Sequence, residues 1–148
     1  MMWAFPSRFD VPSISGNYCF FERGSHRADA AKSAEWNRGA YLARAVAHCG
    51  ECHTPRNILG GIKRSHWFTG AEKGKGPEGV LNIRSEKGRG IHNWSTEQIV
   101  TYLESGEDSD GDYAGSLMFD VVDQGTERLS NSDRKAIATY LKDLPPLP

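Results

Sequence analysis

The stretch Cys49-Gly50-Glu51-Cys52-His53 carries the clearest chemistry in the chain. Two cysteines separated by two residues, with a histidine directly after the second, are typical of a c-type haem attachment site. Two thiols add across the two vinyl groups of one haem, so the residues between them must span the porphyrin edge. The sequence therefore predicts haem attachment at Cys49 and Cys52, with His53 as the proximal ligand of the iron.

Three other interpretations of this motif stay open. Half of a zinc site would need two further ligands at similar spacing, and Cys19 is the one remaining thiol. A thioredoxin-like redox pair would follow a strand, whereas the residues before Cys49 are predicted to be helical. The third interpretation is that the motif arises by chance. Cys19 itself is expected to be either a buried apolar filler or a reactive thiol.

Length and composition suit one small domain. The chain has 148 residues, of which 38% are hydrophobic, and its mean hydropathy is -0.58. Both values are low for a self-sufficient core, and a haem would supply a large apolar slab for short loops to wrap. The formal net charge of -1 argues neither for nucleic acid nor for a membrane surface as partner.

The sequence lacks the usual signals for membrane insertion or export. No stretch approaches the roughly 18 consecutive apolar residues of a membrane span. Met1 to Phe20 lacks a basic segment followed by an apolar one. Because haem is attached to such motifs outside the cytoplasmic membrane, we still expect a periplasmic location, with the signal removed or the chain part of something longer.

We predict an N-terminal arm or inter-domain linker over residues 1–30 and a haem domain over residues 31–148. The arm has no sustained period but is rich in aromatic residues, and it would pack on its own domain or on a partner. In the domain, Ser33 is expected to cap a first helix whose inward stripe is Tyr41, Ala45 and His48, with Leu42 and Val46 beside them. Gly39 would be tolerated there if another helix crosses closely.

Two later helices are predicted from their ends. Ser95 and Gln98 form a capping-box pattern, and Gly106 ends that helix. Ser130 begins the last helix, with Asp133 as its capping partner. The inner stripe of this last helix is expected to be Ile137, Tyr140 and Leu141.

Two loops carry opposite charge. Residues 63–89 hold seven basic and three acidic residues, and residues 104–112 hold five acidic residues and no basic one. Solvated loops are the simplest explanation. A docking face with one charge on each side of an exposed haem edge is the alternative. The acidic loop resembles a calcium loop only loosely, because no glutamate stands at the twelfth position.

Met118 is the predicted distal ligand. Met1 and Met2 are terminal and precede the motif, whereas Met118 follows a glycine-containing segment, 111–115, and lies between helices. Thioether ligation opposite a histidine raises the reduction potential.

Histidine is the rival type of distal ligand. His66 and His92 are the nearest alternatives, His26 is remote, and His48 directly precedes the attachment site. An open sixth position would instead indicate a haem enzyme or gas sensor. A further alternative is an assembly module in which the haem is mainly structural and the aromatic arm carries the function.

The order of these motifs resembles the class I cytochrome c family over about residues 31–148. The segments 34–42, 48–57 and 136–146 are similar to late haem domains in multi-haem cytochrome c subunits of membrane-bound bacterial alcohol, aldehyde and gluconate-type dehydrogenases. The resemblance extends to 17–21 and 32–33, which look like the linker between two haem domains.

The resemblance implies an all-α fold, with about four to five helices and long glycine-rich loops wrapped around one covalent haem c. It implies Cys49 and Cys52 as thioether links, with His53 and Met118 as axial ligands. It further implies a non-catalytic electron carrier that relays electrons from a dehydrogenase subunit towards quinone or a terminal oxidase.

Three features depart from the family pattern. The chain has one haem motif, where such subunits carry two or three. His92 stands where a second glycine is usual, and Arg84 stands where a threonine is common. Both substitutions are expected to make the haem edge more basic.

Overall fold

A computed structural model of the chain describes residues 25–71, 80–84 and 90–145. Within these ranges the fold is helical and has isolated β-bridges but no strand, which confirms the predicted helical class. The helices are α1 (Ala34–Tyr41), α2 (Cys49–His53), α3 (Thr96–Ser105), α4 (Ser116–Gln124) and α5 (Asn131–Lys142). A π-helical segment, Leu42–Val46, continues α1, and 3-10 turns span Arg64–His66 and Thr126–Arg128. Most of the predicted arm, residues 1–24, lies outside the described residues.

No helix in the described ranges has both the length and the apolar character needed to cross a bilayer.

Local capping interactions define the helix ends. The Ser33 and Ser130 hydroxyls each accept a hydrogen bond from the backbone N–H three residues later, both at 3.1 Å. Ser95 and Gln98 form both halves of a capping box. Gly106 ends α3 with a φ of 79°, a conformation that favours glycine. The predicted helix starts and this stop are therefore confirmed.

Helices α1 and α5 cross in backbone contact at Gly39. A Cβ placed on Gly39 would lie 1.9 Å from the carbonyl oxygen of Ala136, so no larger residue fits without a shift of the helices. Beside this point Trp36 packs edge-to-face on Tyr140, with 5.0 Å between ring centroids. The prediction that Gly39 permits a close helix crossing is confirmed.

The predicted inward stripe of α1 is confirmed at Leu42 and wrong at its other four residues, of which Val46 is 48% exposed. Tyr41 is 40% exposed, and Ala45 and His48 are exposed as well. The π-helical widening after α1 changes the register of the later residues, so α-helical spacing no longer predicts which side chains face inward. Besides Leu42, the buried residues of α1 and the π segment are Gly39, Ala40 and Ala43.

Buried and half-buried cations of α5 hold neighbouring elements in place. Arg134 is 5% exposed and donates to the Leu129 carbonyl at 2.7 Å and to the Glu104 carboxylate at 2.5 Å. Lys142 donates to the His92 carbonyl at 3.0 Å.

The inner stripe of α5 is confirmed, because its three predicted residues are each 5% exposed or less: Ile137, Tyr140 and Leu141.

We expect Gly39→Ala to lower the free energy of unfolding by about 1–3 kcal/mol, because its methyl group would collide with the backbone of α5. Denaturant unfolding of the haem-loaded protein measures this change. Gly115→Ala is the matched control, since a Cβ there meets nothing within 4 Å; we expect a loss below about 1 kcal/mol from weaker capping. Equal losses in the two variants would contradict the crossing argument.

Candidate functional site

Cys49, Cys52 and His53 lie on α2, a helix of five residues. The two cysteines are three positions apart, so their side chains project from one side of the helix. His48, just before α2, has a φ of 51°, which is uncommon for a residue other than glycine. This left-handed residue separates α2 from the π segment and redirects the chain into the motif.

Two antiparallel segments, 67–71 and 80–84, surround His53, and we call them the His53 cradle. The Ala71 N–H donates to the Val80 carbonyl at 3.0 Å, and the Ile83 N–H donates to the Phe68 carbonyl at 3.0 Å. The Gly70 N–H donates to the His53 carbonyl at 2.8 Å. The cradle therefore fixes the main chain at the end of α2.

The cradle also orients the imidazole of His53. Its Nδ1 lies 2.8 Å from the carbonyl oxygen of Leu81. Because a carbonyl can only accept, this partner assigns the proton to Nδ1 and leaves the lone pair on Nε2. Burial lowers the pKa of His53 and outweighs the bond to Leu81, which raises it. The ring is therefore held in the neutral form, with one nitrogen available to a metal.

Glycines allow the cradle to close. Gly70 has a φ of 84°, and a Cβ there would lie 2.5 Å from the Val80 carbonyl oxygen. Gly90 has a φ of 55°, and its Cβ would lie 1.7 Å from the Asn82 carbonyl oxygen. The sequence predicts only glycine-rich loops here and gives no sign of the Leu81 carbonyl, because a main-chain acceptor has no side-chain signature. The spacing of Gly70 and Gly90 around residues 80–84 is the signal that was available for the cradle.

The two thiols have different surroundings. Cys49 is half-buried, and burial is the main cause that raises the pKa of its thiol to about 11. Cys52 is exposed. Gly50, between the two cysteines, lies close to the indole ring of Trp67. A Cβ placed on Gly50 would lie 2.5 Å from that ring. One thiol thus lies against the protein interior and the other at the surface.

Met118 lies on α4, a different element from the haem motif, and is half-buried. Its neighbours Leu117 and Phe119 are 54% and 55% exposed. A cavity of about 290 Å³ separates α4 from the π segment that leads into Cys49. Its described lining comes from those two elements and the chain that follows each of them: Leu42, Val46, Ala47, Asp120, Val121, Gln124, Gly125, Thr126 and Leu129. None of the four predicted site residues is among them.

The described contacts of the rival histidines involve other parts of the chain. His66 is exposed in a 3-10 turn, with Nδ1 2.9 Å from the Ser65 hydroxyl. His26 packs edge-to-face on Tyr41, with 5.6 Å between ring centroids. His92 is half-buried in the turn before α3, where its carbonyl is bound by Lys142.

Arg84 lies inside the fold rather than in a solvated basic loop. It is 6% exposed, and its guanidinium donates to the backbone carbonyls of Trp67 and Pro145, each at 3.0 Å. The interpretation of residues 63–89 as a solvated loop is therefore wrong for Arg84, and the expectation that Arg84 makes the haem edge more basic stays a prediction. Lys63 and Arg64 are exposed, and the remaining basic residues of 63–89 lie outside the described residues.

The acidic loop is a compact turn. The Asp108 carboxylate accepts the backbone N–H groups of Asp110 and Asp112, at 2.8 and 3.0 Å. In the parts of the chain that the structure describes, no three His, Cys, Asp or Glu side chains are grouped so that they could hold a metal ion.

Curated relatives match much of the chain, although no family model does. It is 45% identical over 111 residues to a diheme cytochrome c-type protein of Cereibacter sphaeroides, a match that covers 75% of this chain and 36% of the relative. It is 37% identical over 117 residues to the fructose dehydrogenase cytochrome subunit of Gluconobacter japonicus, covering 79% and 24%. It is 34% identical over 113 residues to the gluconate 2-dehydrogenase cytochrome c subunit of Pantoea cypripedii, covering 72% and 25%. The chain thus spans about a third or less of the length of these relatives.

We predict that the two thiols of the haem-free chain react at different rates. A pKa of about 11 makes the Cys49 thiolate about 100-fold scarcer at neutral pH than that of a thiol at 9.0. Since the thiolate is the nucleophile, we expect iodoacetamide to modify Cys52 at least about tenfold faster. Peptide mass spectrometry in a Cys19→Ser background measures both rates. Equal rates at neutral pH would contradict the burial of Cys49.

Proposed function

This chain is homologous to cytochrome c subunits of dehydrogenases, and we propose that it is a one-electron carrier with a single covalently bound haem c. The observation that carries the proposal is the imidazole of His53, kept neutral by burial and oriented by the Leu81 carbonyl, directly after two thiols on one short helix. Metal-ligating histidines commonly donate their second ring N–H to such an acceptor, which fixes the ring and its tautomer. When bound, the haem supplies the one-electron redox change.

The residues of the chain would attach, ligate and cover the haem. Cys49 and Cys52 would form the thioether links, and His53 would present Nε2 to the iron. Met118 would approach from α4, whose exposed apolar side chains at 117 and 119 suit contact with a porphyrin face. With both axial positions taken by protein ligands, no position stays open for a substrate, which favours a carrier over an enzyme or sensor.

We further propose a dehydrogenase subunit as the electron donor, with a quinone or terminal oxidase downstream, on the periplasmic side of the membrane. Two relatives bear the names of fructose and gluconate 2-dehydrogenase cytochrome subunits, which supports a dehydrogenase partner. The acidic turn at 104–112 and the exposed basic residues Lys63 and Arg64 support a docking face that carries both signs of charge.

Replacement of the distal ligand tests the carrier assignment. Methionine–iron bonding in the ferric state gives a weak far-red absorption band, which we expect in the wild-type spectrum and not in Met118→Ala. We also expect a lower reduction potential in Met118→Ala, because thioether ligation raises it. His66→Ala is the matched control and should keep both properties. A low-spin wild-type protein without the band would make His92 the ligand to replace next, and a high-spin one would favour an enzyme or sensor.

Charge neutralisation tests the docking face. We expect the rate of electron transfer to the dehydrogenase partner to vary with ionic strength, and Asp110→Asn with Asp112→Asn to weaken that variation, since exposed charges govern encounter rates. Stopped-flow kinetics at several salt concentrations measures both effects. Glu97→Gln, on the exposed first turn of α3, is the control and should behave as wild type. Rates that ignore ionic strength would contradict the docking face.

A further inference from the structure

We propose that Arg84 is a positioning residue for the proximal ligand: its guanidinium sets the place of the Leu81 carbonyl, which in turn orients His53. This inference rests on the proposed role of His53 as haem ligand. The inference adds Arg84, a buried side chain outside the haem motif, to the residues on which the role of His53 depends.

Arg84 connects both segments of the His53 cradle to the chain just after α5. Its Nη1 donates to the Trp67 carbonyl at 3.0 Å, and its Nε donates to the Pro145 carbonyl at 3.0 Å. Its Nη2 also bonds the Pro145 carbonyl. The bond from Arg84 to Trp67 extends the antiparallel register in which 71 pairs with 80 and 68 with 83. One side chain thus closes the open end of the cradle.

Backbone bonds, rather than side-chain packing, determine where the Leu81 carbonyl lies. The Leu81 side chain is 66% exposed, so packing does little to fix this residue. On one side of it, Val80 is bound to Ala71. On the other side, Asn82 is 9% exposed, and its side-chain oxygen accepts a hydrogen bond from the backbone N–H of Arg84 at 2.7 Å. A loose Arg84 would therefore release the carbonyl from one of its two supports.

The chemistry of this position requires a guanidinium. Arginine presents five N–H donors in a rigid planar fork, so it can bind two carbonyls at fixed angles while almost completely buried. A lysine keeps the charge but offers a single ammonium on a flexible stem. The two properties, charge and geometry, can therefore be separated by substitution.

The test uses the haem-loaded protein in the ferrous state, with Arg84→Lys and Arg84→Met. NMR measures the hydrogen-exchange rate of the His53 Nδ1 proton, and electrochemistry measures the reduction potential. We expect about 10–100-fold faster exchange in both variants, because a hydrogen bond from a charged donor is lost from the support of the Leu81 carbonyl, and we expect a shifted reduction potential. Arg38→Met is the matched control, because Arg38 binds Asp133 across α1 and α5, away from the cradle; its exchange rate should be unchanged.

Each other outcome is decisive. Wild-type exchange in Arg84→Lys, with a shifted potential in Arg84→Met alone, would mean that only the charge matters and would overturn the proposal. Equally fast exchange in Arg38→Met would reduce the effect to general destabilisation and would also overturn it. A wild-type spectrum without histidine ligation would overturn the proposed function together with this inference. A normal wild-type spectrum with unchanged exchange in both Arg84 variants would overturn this inference alone.

Discussion

The backbone contact between α1 and α5 at Gly39 is the constraint on which the rest of this structure depends. Helix α1 runs through the π segment to the left-handed His48 and into α2, so its position fixes where the cysteines begin. The chain just after α5 carries the Pro145 carbonyl that Arg84 binds. The crossing therefore determines the location of the haem motif and of the cradle that holds its histidine.

Hydrogen bonds from charged side chains stabilise loops and turns that apolar packing would stabilise in a protein with a larger hydrophobic core. Arg84, Arg134 and Lys142 each donate to backbone carbonyls at the ends of loops or turns. Hydrogen bonds to charged groups are worth about 1.5–3 kcal/mol each, more than those between neutral groups. This arrangement suits a chain with a mean hydropathy of -0.58, in which long connections must still be held in one place.

Sequence reasoning succeeded where the signal is local. The caps at Ser33, Ser95 and Ser130 depend on residues three positions apart, and the sequence displays both partners. It failed for most of the inward face of α1, because a π-helical turn changes the period without a distinctive composition. It also failed for Arg84, which composition assigned to a solvated basic loop, since burial against carbonyls from distant parts of the chain leaves no local pattern.

The candidate site could be predicted only in part from the sequence, for the same reason. The spacing of Cys49, Cys52 and His53 is visible in the sequence, whereas the helix that they share was not predicted from it. Met118 was selected by elimination, and its role stays a prediction. The group that orients His53 could not be found, because it is a carbonyl that any residue at position 81 would provide.

Because the acceptor for His53 is the main-chain carbonyl of Leu81, position 81 has a particular pattern of variation to expect among related chains. A main-chain acceptor is indifferent to the side chain it comes from, so residue 81 is free to drift through substitution without loss of the contact. The restriction falls on Gly70 and Gly90, where any side chain would collide with the backbone of residues 80–82. A comparison of aligned sequences would then show two invariant glycines flanking a variable position, and the functional atom would belong to the residue that varies.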